Sequence, residues 1–319
     1  MTKTEQLQNL EIKNEIKIEQ YKNGIFDKVL ILYRKSLSRI LRIFRSEANQ
    51  RLTIRDRARI KGLIRQELSE LRQQFENLTK KEMDQLIPVL AKMEIDTVNK
   101  VQKSDYVAPV LSSYLNTNVL AEKGTVLSIS GMTEIAFLSY QRQLFMLVDR
   151  MSVFPEDSET LNDFYNTISF RTQNSLNAVT LTSVAIVASL IKRAFVRSNT
   201  NTMSGYQWIS VLDGKTTEYC QIRHLRFWIF GDKESSTLTS EEYPPGHYRC
   251  RSGIVYIFKG DAPVQTPTYS EWFEQQDEST KKDILGVNRY EMYKIGAIEV
   301  DMISTISGRR LTLQELNQM

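Results

Sequence analysis

Cysteine and histidine are almost absent from this chain, two of each in 319 residues, and glycine (13) and proline (7) are sparse. Two cysteines exclude a disulfide framework and allow at most one bridge. Two histidines leave little material for conventional histidine acid–base catalysis. The shortage of glycine and proline excludes collagen-like and low-complexity chains and suits long regular elements. Also missing are a phosphate-cradling glycine loop, a nucleophile elbow and a His-Glu-x-x-His helix. The first residues, MTKTEQLQNLEIK, are charged and lack the apolar centre of a secretory signal, so folding in a reducing compartment is expected. The most apolar stretch, Ala178 to Ile191, is interrupted by Thr180, Thr182, Ser183 and Ser189 and runs into Lys192-Arg193. It falls short of the roughly 20 residues of a membrane span, so a buried helix and no membrane anchor are expected. Nor is there a large excess of one charge: 42 Lys+Arg against 38 Asp+Glu give a formal net charge of +4. With 41% hydrophobic and 25% charged residues the composition is that of a globular protein, long enough for more than one core.

The few cysteines and histidines lie together. Cys220, His224, His247 and Cys250 occupy one window in the order Cys-x3-His, a long loop, His-x2-Cys. Random scatter would confine four residues so tightly on the order of a few times in a thousand. The spacing lets two short-range pairs meet when the loop folds back, a zinc-knuckle layout with a Cys-His-His-Cys donor set. A structural zinc is the leading reading. A Cys220–Cys250 disulfide and a reduced, metal-free pair are the alternatives.

Around these residues, Tyr206 to Leu212, Arg226 to Phe230 and Gly253 to Phe258 are rich in aromatic and β-branched residues, and three short antiparallel strands are expected. Asp213-Gly214 reads as a tight turn, and Pro244-Pro245-Gly246 holds the chain extended and then turns it, presenting His247 and Cys250 on one knuckle. Asp213, Thr216 and Thr217 are expected to bond to local backbone amides rather than to do chemistry. A zinc-dependent nuclease or hydrolase is the enzymatic alternative, with Glu218, Glu241 or Glu242 as the carboxylate beside an open metal position.

Two segments, YQWISVLDGKTTEYCQIRH from Tyr206 and YPPGHYRCRSGIVYI from Tyr243, resemble the phage Mu F-like head morphogenesis family, the minor head proteins of tailed bacteriophages. Its members carry W-I-S-x-L-D-x-x-T-x-x-x-C followed by P-P-x-H-x-x-C-R-S. The resemblance extends upstream to Arg171-Thr172 and downstream through YSEWFEQQ and DILGVNRYEMYKIG to the terminal GRRLTLQEL, roughly the last 150 residues. Where members have a short turn ending in glycine after the first cysteine, this chain has His224 followed by Leu225-Arg226-Phe227-Trp228. The resemblance therefore supports Cys220, His247 and Cys250 as a unit better than His224, and Asp213 or a water are alternatives for the fourth place. It implies a structural, non-enzymatic protein present in few copies at the portal vertex of the virion head and assembled in the bacterial host cytoplasm. The implied partners are the portal protein, the major capsid or other head proteins and genomic DNA, with a part in head assembly, packaging or ejection.

The first half matches nothing comparable, but its pattern is helical. Phe26, Leu30, Tyr33, Leu37, Ile40 and Phe44 recur at four- and three-residue spacing, and Ile64, Leu68, Leu71 and Phe75 repeat the pattern. Thr53 with Asp56 and Thr79 with Glu82 look like capping boxes, predicting helix starts near Ile54 and Lys80, with Pro88 as a kink or second start. Between Lys28 and Arg65 twelve basic residues face only Glu47 and Asp56. Arg34, Lys35, Arg39, Arg42, Arg45, Arg51, Arg55, Arg57 and Arg59 are thus candidates for nucleic-acid contact, making a DNA-binding protein the second functional reading. The competing reading is a solvated helix face balanced by acids elsewhere in the fold.

The fold class expected is α+β. Residues 1–200 form a helical region with long amphipathic helices, 201–260 a small antiparallel β module with the Cys/His cluster, and 261–319 a linker and C-terminal helical arm, with a tight turn at Gly286. Because the module carries its own cross-link, it is expected to fold without the N-terminal helices.

Overall fold

A computed structural model of the chain describes residues 3–46, 51–120, 126–150, 158–265, 267–300, 303, 311–316 and 318. Four long helices form an antiparallel bundle: α1 (Lys3–Ser46), α2 (Ile54–Val101), α3 (Ile129–Arg150) and α4 (Ser158–Ser198). α1 and α2 run against each other for most of their length. Asn14 Nδ2 donates to Thr97 Oγ1 at 2.9 Å, Lys28 pairs with Glu82 at 2.7 Å, and Arg39 with Glu67 at 2.7 Å. Aromatic pairs knit the centre, with Tyr33 and Tyr140, and Phe75 and Phe137, at ring separations of 5.9 Å. A two-stranded hairpin, β1 (Val119–Leu120) and β2 (Val126–Leu127), precedes α3.

The amphipathic stripes build the core with one adjustment. Tyr33, Leu37, Ile40 and Phe44 are buried as expected, but below them Ile25 and Val29 face inward while Phe26 and Leu30 are half-buried. On α2 all of Ile64, Leu68, Leu71 and Phe75 are buried. The capping box at Thr53 forms, with Asp56 N–H donating to Thr53 Oγ1 at 3.2 Å and Thr53 N–H to Asp56 Oδ2 at 3.0 Å. The expected second start at Lys80 does not occur. α2 passes unbroken through Thr79, which is buried, because the apolar stripe continues into Met83, Leu86 and Leu90, and Glu82 is taken by Lys28. Pro88 lies within the helix on its exposed side. The segment 178–191 is a buried part of α4. The span Asn166–Ser198 is long and apolar enough to cross a membrane by length and composition, and 72% of its most apolar part is buried inside the protein.

Three antiparallel strands, β3 (Met203–Ile209), β4 (Phe227–Ile229) and β5 (Gly253–Phe258), make a sheet in the order β4-β3-β5. β3 starts and ends three residues earlier than its sequence pattern indicated, and Gly205 shows why it needs no side chain: a Cβ there would sit 2.1 Å from the Trp228 carbonyl oxygen. The sheet shares its core with the bundle. Tyr206, Ile254, Val255, Tyr256 and Phe258 pack with Leu7 of α1, Val98 of α2 and Phe195 and Val196 of α4. Tyr256 Oη donates to the buried Glu94 of α2 at 2.6 Å. The β module, expected to fold independently, thus shares its core with the helices.

The C-terminal segment is helical, in short pieces. α6 (Tyr269–Glu274), α7 (Glu278–Leu285) and α8 (Val287–Lys294) gather with α9 (Leu313–Leu316) around Tyr269, Phe273, Leu285, Tyr290 and Leu316. Gly286, with φ of 76°, joins α7 to α8 at the expected turn. Gly308, Arg309 and Arg310 of the terminal motif lie outside the described residues.

Candidate metal centre

The cluster is assembled by three short pieces of chain. β3 ends at Ile209 and leads through a loop into a single helical turn, α5 (Glu218–Gln221), which presents Cys220. The loop through the cis Pro244–Pro245 bond and Gly246 brings in His247, and Cys250 lies just before β5. Cys220 Sγ is 3.2 Å from His247 Nε2 and 3.6 Å from Cys250 Sγ, and the three donor atoms lie within 4.8 Å of one another. This group can hold a metal ion. Both cysteines are free and buried.

Geometry fits a metal better than a bridge. A tetrahedral zinc about 2.3 Å from each sulfur sets the two about 3.8 Å apart, near what is found, whereas a disulfide needs them at about 2.05 Å. His247 is held for ligation: its Nδ1 donates to the Tyr248 carbonyl at 2.8 Å, leaving the Nε2 lone pair toward Cys220. Thr217 Oγ1 also reaches that nitrogen at 2.9 Å. Cys220, His247 and Thr217 border a small cleft of about 20 Å³, room for one water.

The two sulfurs differ electrostatically. Burial pushes the Cys220 thiol well above its ordinary range, and Cys250 beside it adds to the effect. For Cys250 burial acts the same way, but the hydrogen bond from Cys220 and the nearby His247 ring outweigh it and favour the thiolate. A buried Cys250 thiolate facing an imidazole nitrogen is a ready partner for a cation. Trp208 and Tyr219 close the sulfur pair off from solvent.

The two segments that carry the family resemblance are stitched together side chain by side chain. Ser210 of W-I-S and Ser252 of C-R-S share a hydrogen bond at 3.0 Å, and Trp208 Nε1 donates to Ser210 Oγ at 3.1 Å. Arg251 donates to both oxygens of Asp213 at 2.7 Å, which, with the Lys215 N–H, holds that carboxyl below its usual range despite partial burial. Thr216 Oγ1 bonds to Asp213 and to the Val211 carbonyl, and Thr217 Oγ1 to His247, so of the three residues expected to bond local backbone amides only Asp213 does so, at Lys215.

His224 stands apart and is corrected as a ligand. Its Nδ1 accepts the Ser210 N–H at 3.0 Å and its Nε2 faces the Pro267 carbonyl at 3.0 Å, so both nitrogens are engaged away from the sulfurs. Burial lowers its pKa, opposed by the Pro267 contact, and keeps the ring neutral. Asp213 is equally committed, to Arg251. Of the carboxylates considered for catalysis, Glu241 pairs with Arg197, and Glu242 pairs with the buried Arg223 at 2.9 Å and accepts from Tyr219 Oη at 3.2 Å.

The basic residues gather where α1 ends and α2 begins, at the far end of the bundle. Ile18 borders a cavity with Cys250, and from Ile18 to Arg42 the helix rises about 36 Å. Arg34, Lys35, Arg42, Arg45, Arg51 and Arg55 are exposed, and Arg57 is half-buried. Others are balanced by acids distant in sequence or near at hand: Arg39 by Glu67, Lys28 by Glu82, Lys61 by Asp149, and Arg59 by Asp56 at 3.8 Å. Sequence reading missed Thr217 and Tyr219 as neighbours of the cluster, and the buried Glu11–Lys192 pair beside the sheet. The only signal for the latter was a lysine ending the apolar run of α4. No family model, curated protein or solved structure matches this chain.

Proposed function

We propose that this chain is a structural, non-enzymatic minor head protein of a tailed phage, acting at the portal vertex, in which Cys220, His247 and Cys250 hold one structural zinc with a water as fourth ligand. The observation that carries the reading is the interlock of the two resembling segments: Trp208, Ser210, Asp213 and Cys220 from the first meet Ser252, Arg251 and Cys250 from the second. The residue types shared with the family are therefore those that join the segments. A zinc here would cross-link the α5 turn to the loop that carries His247 and Cys250, tying together the connections that flank the three-stranded sheet. The open fourth position is also what a catalytic zinc keeps, but Asp213, Glu241 and Glu242 are all bound to arginines, which supports the structural role. Protein purified under reducing conditions should contain about one zinc per chain, and it should co-purify with the portal protein when the two are co-expressed. Metal-free protein with an intact Cys220–Cys250 bond would refute the zinc, and failure to associate with portal or assembled heads would refute the assembly role. Turnover lost in Glu218→Gln with zinc retained would instead establish the enzyme.

The exposed arginines at the α1–α2 tip favour a second, compatible reading, contact with genomic DNA through phosphates. Replacing Arg34, Arg42, Arg45 and Arg55 by glutamine should weaken binding uniformly across sequences and flatten its salt dependence. Unchanged binding would leave the tip a solvated or protein-facing surface.

A further inference from the structure

Lys192 is a buried lysine set between two buried carboxylates. It is 2% exposed, Glu11 4% and Glu94 1%, and the three come from different helices, α4, α1 and α2. Lys192 Nζ lies 2.5 Å from Glu11 Oε2 and 3.9 Å from Glu94 Oε1. One turn along each helix, Phe195 and Val196, Leu7, and Val98 all belong to the apolar core shared with the sheet, so the three groups meet inside packed protein. The hydrogen bond from Asn14 to Thr97 fixes α1 against α2 at the same level. Glu94 is oriented in turn by Tyr256, whose Oη donates to its Oε2 at 2.6 Å.

An amine and a carboxyl group do not condense in water, where both are ionised, hydrated and free to separate. Reacting groups held in contact can gain an effective concentration of about 10⁵–10⁸ M. Burial also favours the product, because the ion pair has given up its hydration while a neutral amide carries no charge to desolvate. A second carboxyl group beside the pair is a carrier for the protons that must move. A cavity of about 20 Å³ bordered by Lys192, Ala188 and Ile254 has room for one water, the molecule that condensation releases.

We propose that Lys192 and Glu11 condense into an amide, a covalent staple between α4 and α1, with Glu94 relaying the protons. Two protons pass through Glu94 from the Lys192 ammonium to one Glu11 oxygen. The Nζ lone pair bonds to Glu11 Cδ, that oxygen leaves as water, and Glu94 ends as it began. Nothing is oxidised or reduced, and the step is independent of the metal and of any role in a phage head. Intact-mass spectrometry of the denatured full-length protein should find the chain one water lighter than its sequence. Tryptic mapping should find Lys192 joined to the peptide that carries Glu11. In Lys192→Arg, which keeps the ion pair, and in Glu94→Gln, which keeps an acceptor for Tyr256, the mass should match the sequence while the near-ultraviolet circular dichroism of Trp208 reports a retained fold. A folded parent at full sequence mass, with Lys192 and Glu11 in separate linear peptides, would overturn the proposal whatever the variants do. So would a loss of water that maps to other residues or persists in Lys192→Arg. Cross-linking undiminished in Glu94→Gln would overturn the relay.

Discussion

Gly246 has no room for a side chain: a Cβ would lie 2.0 Å from Tyr219 Cε1, and that ring is held between Trp208 and the His247 loop. Gly246→Ala should therefore destabilise the protein by about 1–3 kcal/mol in denaturant titration and lower its zinc content, since the ring can yield only by moving α5 and Cys220 with it. The ligand set separates by substitution. His224→Gln should leave zinc content at the parent value, because the ring bonds to Ser210 and Pro267, whereas His247→Gln or Cys250→Ser should abolish it. Loss of zinc in the His224 variant alone would restore the four-residue knuckle. Asp213 adds a pH dependence. Its carboxyl is depressed by Arg251 from an ordinary 3.8, so its contribution is present above that value and is lost as pH falls through the lower folded one. Asp213→Asn should show a shallower loss of stability in that acid window. At this scale the sequence located the cysteines and His247 by their clustering. It misplaced His224 because proximity along the chain says nothing of which way a ring turns, and here backbone groups at Ser210 and Pro267 claim both nitrogens.

Among elements, two similar local patterns had opposite outcomes. Thr53-x-x-Asp56 caps α2, and Thr53→Ala should cost about 1 kcal/mol. Thr79-x-x-Glu82 has the same spacing but sits inside the helix, with Thr79 Oγ1 buried and without a partner. Thr79→Val should thus be neutral or stabilising, where a true cap would lose stability, and equilibrium unfolding of the two variants checks the contrast. A capping box is a local signal. It yields when the apolar stripe from Phe75 to Met83 continues across it and Lys28 of α1 takes the acidic partner. The three strands of the sheet were legible to within three residues because aromatic and β-branched runs are dense there. The β1–β2 hairpin, two residues per strand, offers too short a run to detect. The basic stripe was visible as sequence, but not the neutralisation by Glu67, Glu82 and Asp149, which depends on how α2 and α3 lie beside it.

At the scale of the molecule, the sequence divides where the structure joins. Residues 1–200 and 201–260 differ in composition and pattern, yet Leu7, Val98, Phe195 and Val196 complete the sheet's core, and Tyr256 hydrogen-bonds to Glu94 across the division. Leu7 is fully buried, so removing α1 exposes the inner face of β5 and leaves Lys192 without Glu11. Truncating such contacts costs about 2–5 kcal/mol for a single large apolar side chain. Deleting all of α1 takes away several, comparable with the whole stability of an ordinary domain. A chain lacking residues 1–65 should therefore lose both the near-ultraviolet circular dichroism of the buried Trp208 and its zinc, and chelating zinc from the intact chain should lower one cooperative melting transition rather than a separate early one. Full zinc occupancy and a native Trp208 signal in the truncated chain would show instead that the cross-link alone suffices to fold the sheet, and that the helices serve only as its docking surface.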